Sequence, residues 1–472
     1  MLETQRFVPR RMKAQNVGNS PVSVAQAISF SKLKSLGFIL LHIPIGLAFF
    51  RFGSVVATAH ALITLSVGLF FFLRDHQPTR VIYTAAYITG TEVLWRAAGA
   101  HIFWETGKYA VIALFLLSLV KYGRGQKVAS WPIVYFALLV PSVFVLPYFD
   151  RQAIAFNLAG PFALAIAVML FSFVHINLVH FKYILISILA PTVALAVYVL
   201  IGIVTDSNIF FGSSSNFQAS GDYGPNQVSI ILALGALVAI YYAVVEDNLP
   251  YRIFFLGLSL WLLAQSALTF SRSGLWTTAL TLVITGIYLA RSHRMGGFIF
   301  GILFLGILGY LFIFPSLENF TGNALSTRFS SLYTTGRLQI AQADLMVFSE
   351  YPIFGVGPGQ SDAYHALTFR FENAHTEYTR MLAEHGMFGL LALLLLSFVV
   401  FQRLRAKTDI FSKGFLIGIT AWALLFMASA ATRQVAPSFL FGLAAARFDL
   451  QGKNNLEDGT FKNGSSAFGR SR

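Results

Sequence analysis

Long unbroken apolar runs constrain this chain more than any other feature. Runs of about 17–25 residues, enough to cross a bilayer as helix, fall at 36–52, 54–73, 101–120, 131–149, 153–175, 182–204, 226–245, 252–270, 274–290, 297–315, 385–402 and 411–432. A further run at 81–97 carries Glu92 and Arg96, and a short one closes the series at 434–448. Only 11% of the 472 residues are charged, against about 25% in soluble domains. The expectation is therefore an all-α polytopic membrane protein of about 12–14 transmembrane helices.

The net charge of +14 does not point to nucleic acid. The basic residues are scattered through short loops and tails, as the positive-inside bias of membrane proteins requires. With no cysteine there is neither a disulfide framework nor a thiolate nucleophile or metal ligand. Residues 1–35 form a basic tail (Arg6, Arg10, Arg11, Lys13, Lys32, Lys34) that leads into the first run without a small-residue cleavage site, so a cytoplasmic N-terminus is expected. Residues 36–315 form a transmembrane bundle, 385–448 its C-terminal helices, and 449–472 a polar tail expected to be disordered.

Loop charge fixes the parity. Lys121, Arg124 and Lys127 mark one cytoplasmic loop, and Arg403, Arg405, Lys407 and Lys413 mark another. An even number of runs separates them, as two loops on one side demand. The tail and the Lys121 loop also share a side, which requires 81–97 to cross; Glu92 and Arg96, four apart, can pair on one helical face. The loop at 205–223, the turn Ser271–Gly274 and the long loop 316–384 then share the outer side.

That last loop, the longest polar interruption, gathers Arg328, Arg337, Asp344, Glu350, Arg370, Glu372, His375, Glu377, Arg380 and Glu384. Leu338, Ala341, Leu345 and Phe348 recur at helical spacing, so 337–349 is expected to be an amphipathic helix. Gly355-Val-Gly-Pro-Gly359 reads as a turn, since no Lys-Ser/Thr pair follows it to make a phosphate loop. A second helix is expected from near Asn373, a good cap residue.

Several of these residues can carry chemistry. His375 can titrate near neutral pH and act as a general base, or simply bond locally in its loop; Tyr378 shares its helical face. Arg272 in the outer turn suits bidentate phosphate binding, or snorkels to anchor a helix end. Arg328, Arg337 and Arg433 can add charge to the same cavity or be solvated. Asn226 can meet sugar hydroxyls or cap its helix. No His/Asp/Glu grouping has metal spacing.

The ordered series Ser271-Arg-Ser-Gly274, Gly336-Arg337, Pro352-Ile-Phe-Gly-Val-Gly-Pro-Gly359, Ala374-His375 and Glu384-His-Gly386-Met-Phe-Gly389 resembles the O-antigen ligase/polymerase superfamily of bacterial inner-membrane glycosyltransferases. One departure is that Thr376 follows His375 where members commonly carry Asn, with Asn373 upstream instead. The resemblance implies inverting, metal-independent glycan transfer, without cofactor, from a polyprenyl-diphosphate-linked oligosaccharide at the periplasmic face. Arg272 and Arg337 would bind the diphosphate, and His375 would activate the acceptor hydroxyl. Arg328, Arg433, Asn226, Asn373 and Tyr378 would contact substrate. A polysaccharide (O-antigen or exopolysaccharide) polymerase is the favoured form. An O-antigen ligase and a protein O-oligosaccharyltransferase share the donor, so the acceptor is a glycan, lipid or protein hydroxyl. Chain-length regulators and flippases are implied partners. From another class, a membrane transporter should show intramembrane charges and broken helices in two corresponding halves; here charge concentrates in one loop.

Overall fold

A computed structural model describes residues 21–290, 292, 295–330, 337–368, 376–430 and 432–451. The chain order is α1 (Pro21–Arg74), α2 (Thr79–Ala97), α3 (Thr106–Tyr122), α4 (Trp131–Ala137), α5 (Arg151–Phe171), β1 (His175–Asn177), α6 (Leu178–Thr205), α7 (Pro225–Val245), α8 (Leu249–Leu268) and α9 (Arg272–Leu289). It continues through α10 (Met295–Leu308), a π turn at Gly309–Ile313, α11 (Phe314–Phe320), α12 (Ala324–Ser330), α13 (Arg337–Glu350), α14 (Ser361–Thr368), α15 (Glu377–Arg405), α16 (Ile410–Ser429), α17 (Ala436–Leu443) and β2 (Arg447–Asp449). The protein is an all-α polytopic membrane protein. Among the described residues, eight helices are long and apolar enough to cross a bilayer.

Helix α1 is two antiparallel arms. Gly53 interrupts it at φ 50°, ψ −126°, and the Phe49 and His60 rings lie 5.3 Å apart. In a straight helix, eleven residues would separate them by about 16 Å. The hydroxyl of Tyr87 reaches His42 at 2.8 Å on one arm and His60 at 2.9 Å on the other. The arms, 32–52 and 54–74, are the first two expected runs.

Helix α7 is apolar all round and buried from Val228 to Val245, which suits a central helix; it packs on α6, α8 and α9. Arg96 donates to Glu92 at 2.6 Å within α2, the pairing expected of that run.

One end of the bundle is basic. There Glu246 receives Lys32 and Lys182, and Lys121 caps carbonyls at the end of α1. The opposite end collects the 206–224 loop, the α8–α9 turn and the long loop: Arg328 reaches Ser213 and Phe270, and Arg337 reaches Ser273. The expected clustering of these three loops at one end is therefore seen.

Three local expectations change. The run at 131–149 is broken into α4 and a 3₁₀ turn at Pro141–Val145; Pro141 has no N–H to carry the helical ladder on from Ala137. Helix α13 forms as expected, but Ile340, Ala343, Asp344 and Val347 face inward, while Leu338 and Leu345 are exposed. The buried Asp344 sets the inward face. The short run at 434–448 gives only eight helical residues. It nevertheless traverses the bundle: the backbone of Thr432 meets Glu377 near the opposite end, whereas Leu450 bonds Ser412 at the start of α16. Strand β2 pairs in parallel with β1, His175 opposite Arg447.

Candidate active site

The α8–α9 turn is built by close packing. A Cβ on Gly274 would lie 2.3 Å from the Ser229 carbonyl oxygen of α7, so the turn sits directly on the start of that helix. Asn226 organises it: its side-chain carbonyl accepts from Ser271 Oγ at 2.6 Å and from Ser273 Oγ at 3.3 Å. Arg337, at the start of α13, donates to Ser273 Oγ at 3.2 Å. Arg328 donates to the Phe270 carbonyl at 3.0 Å and the Ser213 carbonyl at 2.8 Å. Phe270 holds φ at 56°, a left-handed conformation that costs a non-glycine residue about 1 kcal/mol or more. This strain occurs where the Phe270 carbonyl meets a guanidinium.

Arg272, Arg328 and Arg337 thus form a cationic trio. Burial lowers the pKa of Arg328, and repulsion from Arg272 and Arg337 adds to it. Arg337 is lowered by burial and then by Arg272. Among the described residues no carboxylate forms an ion pair with Arg328 or Arg337; both donate to neutral oxygens. Three guanidinium groups held in one partly buried place favour a multivalent anion.

Beside the trio lies a cage of paired charges. Buried Arg380 bridges Glu377 and Glu384, each at 2.6 Å, and also reaches Asn157 Oδ1 at 3.1 Å. Glu377 accepts from the Thr432 N–H at 3.0 Å and the Thr432 hydroxyl at 3.1 Å. Lys108 pairs with Glu105 and donates to the Thr432 carbonyl at 3.2 Å. Arg96 donates to the Arg433 carbonyl at 2.9 Å, and Glu92 accepts from the Val435 N–H at 2.7 Å. Side chains from α2, α3 and α15 therefore satisfy the backbone of the break between α16 and α17, which has no ladder of its own.

Two further joints assemble the long loop. Buried Asp344 accepts from His365 Nε2 at 2.8 Å and from Thr379 Oγ1 at 2.7 Å, tying α13, α14 and α15 together. Helix α15 itself reverses at Gly386 (φ 59°, ψ −137°). The Val356 and Gly357 N–H groups donate to the Ala383 and Glu384 carbonyls, both at 3.0 Å. A Cβ on Gly386 would lie 2.6 Å from the Gly355 nitrogen, and one on Gly355 2.4 Å from the Glu384 carbonyl carbon. Glycines in both partners are what let this loop lie against the reversal.

The structure brings Arg272, Arg328, Arg337 and Asn226 together. It puts Arg433 in the cage, where burial lowers its pKa and the charges of Asp362, Glu377 and Glu384 oppose that shift. Tyr378 turns away and donates to the Leu424 carbonyl at 2.9 Å. His375 and Asn373 lie outside the described residues; the helix that follows is capped by Thr376, whose Oγ1 accepts from the Thr379 N–H. Sequence reasoning missed Lys108, Glu377, Arg380 and Glu384 as a unit. The spacing of Glu377, Arg380 and Glu384, three and four residues apart, was the available signal.

No curated protein matches the chain. Residues 255–394 match the family model described as O-antigen ligase, a span that holds the trio, the Asp344 joint and the Gly355–Gly386 reversal but not Asn226, Arg96 or Arg433. That match supports the resemblance to the O-antigen ligase/polymerase superfamily and, in general, a membrane-bound ligase- or polymerase-type glycosyltransferase activity.

Proposed function

We propose that the protein transfers glycan from a polyprenyl-diphosphate carrier to an acceptor hydroxyl, with inversion, at the periplasmic face of a bacterial inner membrane. The observation that carries this reading is the cationic trio, set at the mouth of a membrane bundle. In the reaction the acceptor oxygen attacks the anomeric carbon and the bond from that carbon to the diphosphate oxygen breaks. The diphosphate leaves with the electron pair, and the acceptor proton passes to a base. Arg272, Arg328 and Arg337 bind the diphosphate and offset the charge that grows on it, an effect strongest where water is excluded. Asn226 fixes Ser271 and Ser273, and through Ser273 the guanidinium of Arg337. His375 takes the proton.

A polymerase that joins lipid-linked repeat units is the form we favour; a ligase or protein O-oligosaccharyltransferase would use the same donor residues. A transporter would also bury charge within its bundle, but here the cage carboxylates are engaged by backbone N–H groups and arginine. The test is transfer in nanodiscs from a polyprenyl-diphosphate oligosaccharide, without added metal and with chelator. Wild type should lengthen or transfer the glycan, while Arg272→Ala and His375→Ala should not. Full activity in both folded variants would refute the site, and no transfer to glycan, lipid or peptide acceptors by wild type would refute the function.

A further inference from the structure

A small cavity of about 120 Å³ opens beside the cage, its lining including Glu92, Trp95, Arg96, Phe103, Trp104 and Thr106. Its outer wall is aromatic and accessible: Trp104 is 53% exposed and Phe103 83%. Aromatic residues at a bundle end commonly act as interfacial anchors, yet Trp104 is fixed more firmly than anchoring requires. The Arg96 guanidinium lies 5.1 Å from the centre of its ring and Arg96 Nε donates to its carbonyl at 3.0 Å. The Tyr223 ring stands 5.9 Å away at 46°. The result is a pre-set aromatic surface backed by a cation, with polar groups of Glu92, Arg96 and Thr106 in the same lining.

Side-chain contacts also link the cavity wall to the trio. The Tyr223 hydroxyl donates to Gln227 Oε1 at 2.6 Å. The neighbouring Asn226 holds Ser271 and Ser273, and Ser273 holds Arg337. Tyr223, in contact with Trp104, thus belongs to the same set of joined side chains as Arg337.

We propose that this cavity is a sugar subsite, taking a neutral pyranose of the glycan carried on the diphosphate, with Trp104 as its stacking platform. A pyranose suits it because one face is C–H and packs on an aromatic ring, while its rim of hydroxyls needs a few fixed polar partners. The inference rests on the glycosyl-transfer reading above, and it adds that binding senses the sugar as well as the diphosphate.

The test compares binding of bare polyprenyl diphosphate and of a polyprenyl-diphosphate oligosaccharide to the full chain in nanodiscs. Wild type should prefer the glycosylated lipid. Trp104→Ala should cut that preference about 3- to 10-fold, the range of one aromatic contact, and Trp104→Phe should restore most of it. Arg337→Ala should weaken both lipids and keep their ratio. A wild-type preference that survives Trp104→Ala, or equal binding of the two lipids by wild type, overturns the subsite while leaving the diphosphate site standing. Failure of wild type to bind either lipid overturns both readings.

Discussion

Replacing Glu377 should show how much of the architecture at the site end of the bundle depends on one carboxylate. It accepts from Arg380 Nη2 at 2.6 Å, Arg380 Nε at 3.2 Å, the Thr432 N–H at 3.0 Å and the Thr432 hydroxyl at 3.1 Å. Glu377→Ala removes all four. Arg380 is 3% exposed and would keep only Glu384 and Asn157, and breaking one arm of a buried ion pair costs about 3–5 kcal/mol. The orphaned Thr432 N–H adds about 1–3 kcal/mol if water does not reach it. A total loss of about 4 kcal/mol or more is expected, with Glu377→Gln between wild type and Ala because it keeps a neutral acceptor. The assay is thermal unfolding in nanodiscs followed by tryptophan fluorescence, run as a double-mutant cycle with Arg380→Gln. The double variant should lose at least about 1 kcal/mol less than the sum of the singles. Strict additivity, or a Glu377→Ala transition at the wild-type temperature, would refute the cage as a load on the fold.

Other substitutions separate binding from scaffolding. Arg337→Ala should cost transfer about 2–4 kcal/mol, roughly 30- to 900-fold in kcat/KM. Arg337→Lys should recover little, since an ammonium lacks the planar fork; recovery to within threefold would count against a bidentate phosphate contact. Tyr378→Phe should lower thermal stability by about 1 kcal/mol through its lost bond to Leu424 and leave kcat/KM within threefold, and a large fall in activity alone would restore it to the substrate site. Gly386→Ala should reduce the yield of folded protein, since it combines a left-handed φ with a backbone clash, at about 1–3 kcal/mol for the conformation alone; a wild-type yield and melting profile would refute the reversal.

Much of the fold was legible because bilayer thickness imposes a single length on helices. Charge in the Lys121 and Arg403 loops then sorted their ends, so the grouping of Arg272, Arg328 and Arg337 at one end of the bundle could be read before any geometry. The arginines were visible for the same reason: a chain so poor in charge offers few alternatives. The surroundings of Arg433 and Tyr378 were not legible, because linear spacing does not say which neighbours consume a side chain. Arg433 sits in the field of carboxylates from α14 and α15, and Tyr378 bonds a carbonyl of α16. The inward face of α13 was misread because a period count treats apolar as buried, whereas here the buried position is Asp344, held by His365 and Thr379.

The grip on Thr432–Val435 also sets a timetable for biosynthesis. Glu92 and Val435 are 343 residues apart, and Lys108 and Thr432 are 324 apart. At about 5–20 residues per second, the ribosome would need about 17–70 s between placing the early charges and delivering the backbone that satisfies them. For that interval α2 and α3 hold polar side chains at the bundle end with their last partners missing, so a chain stopped before residue 432 leaves those bonds unmade. Arrested or truncated chains should accordingly be exposed to quality-control proteolysis even with nearly every apolar helix already inserted.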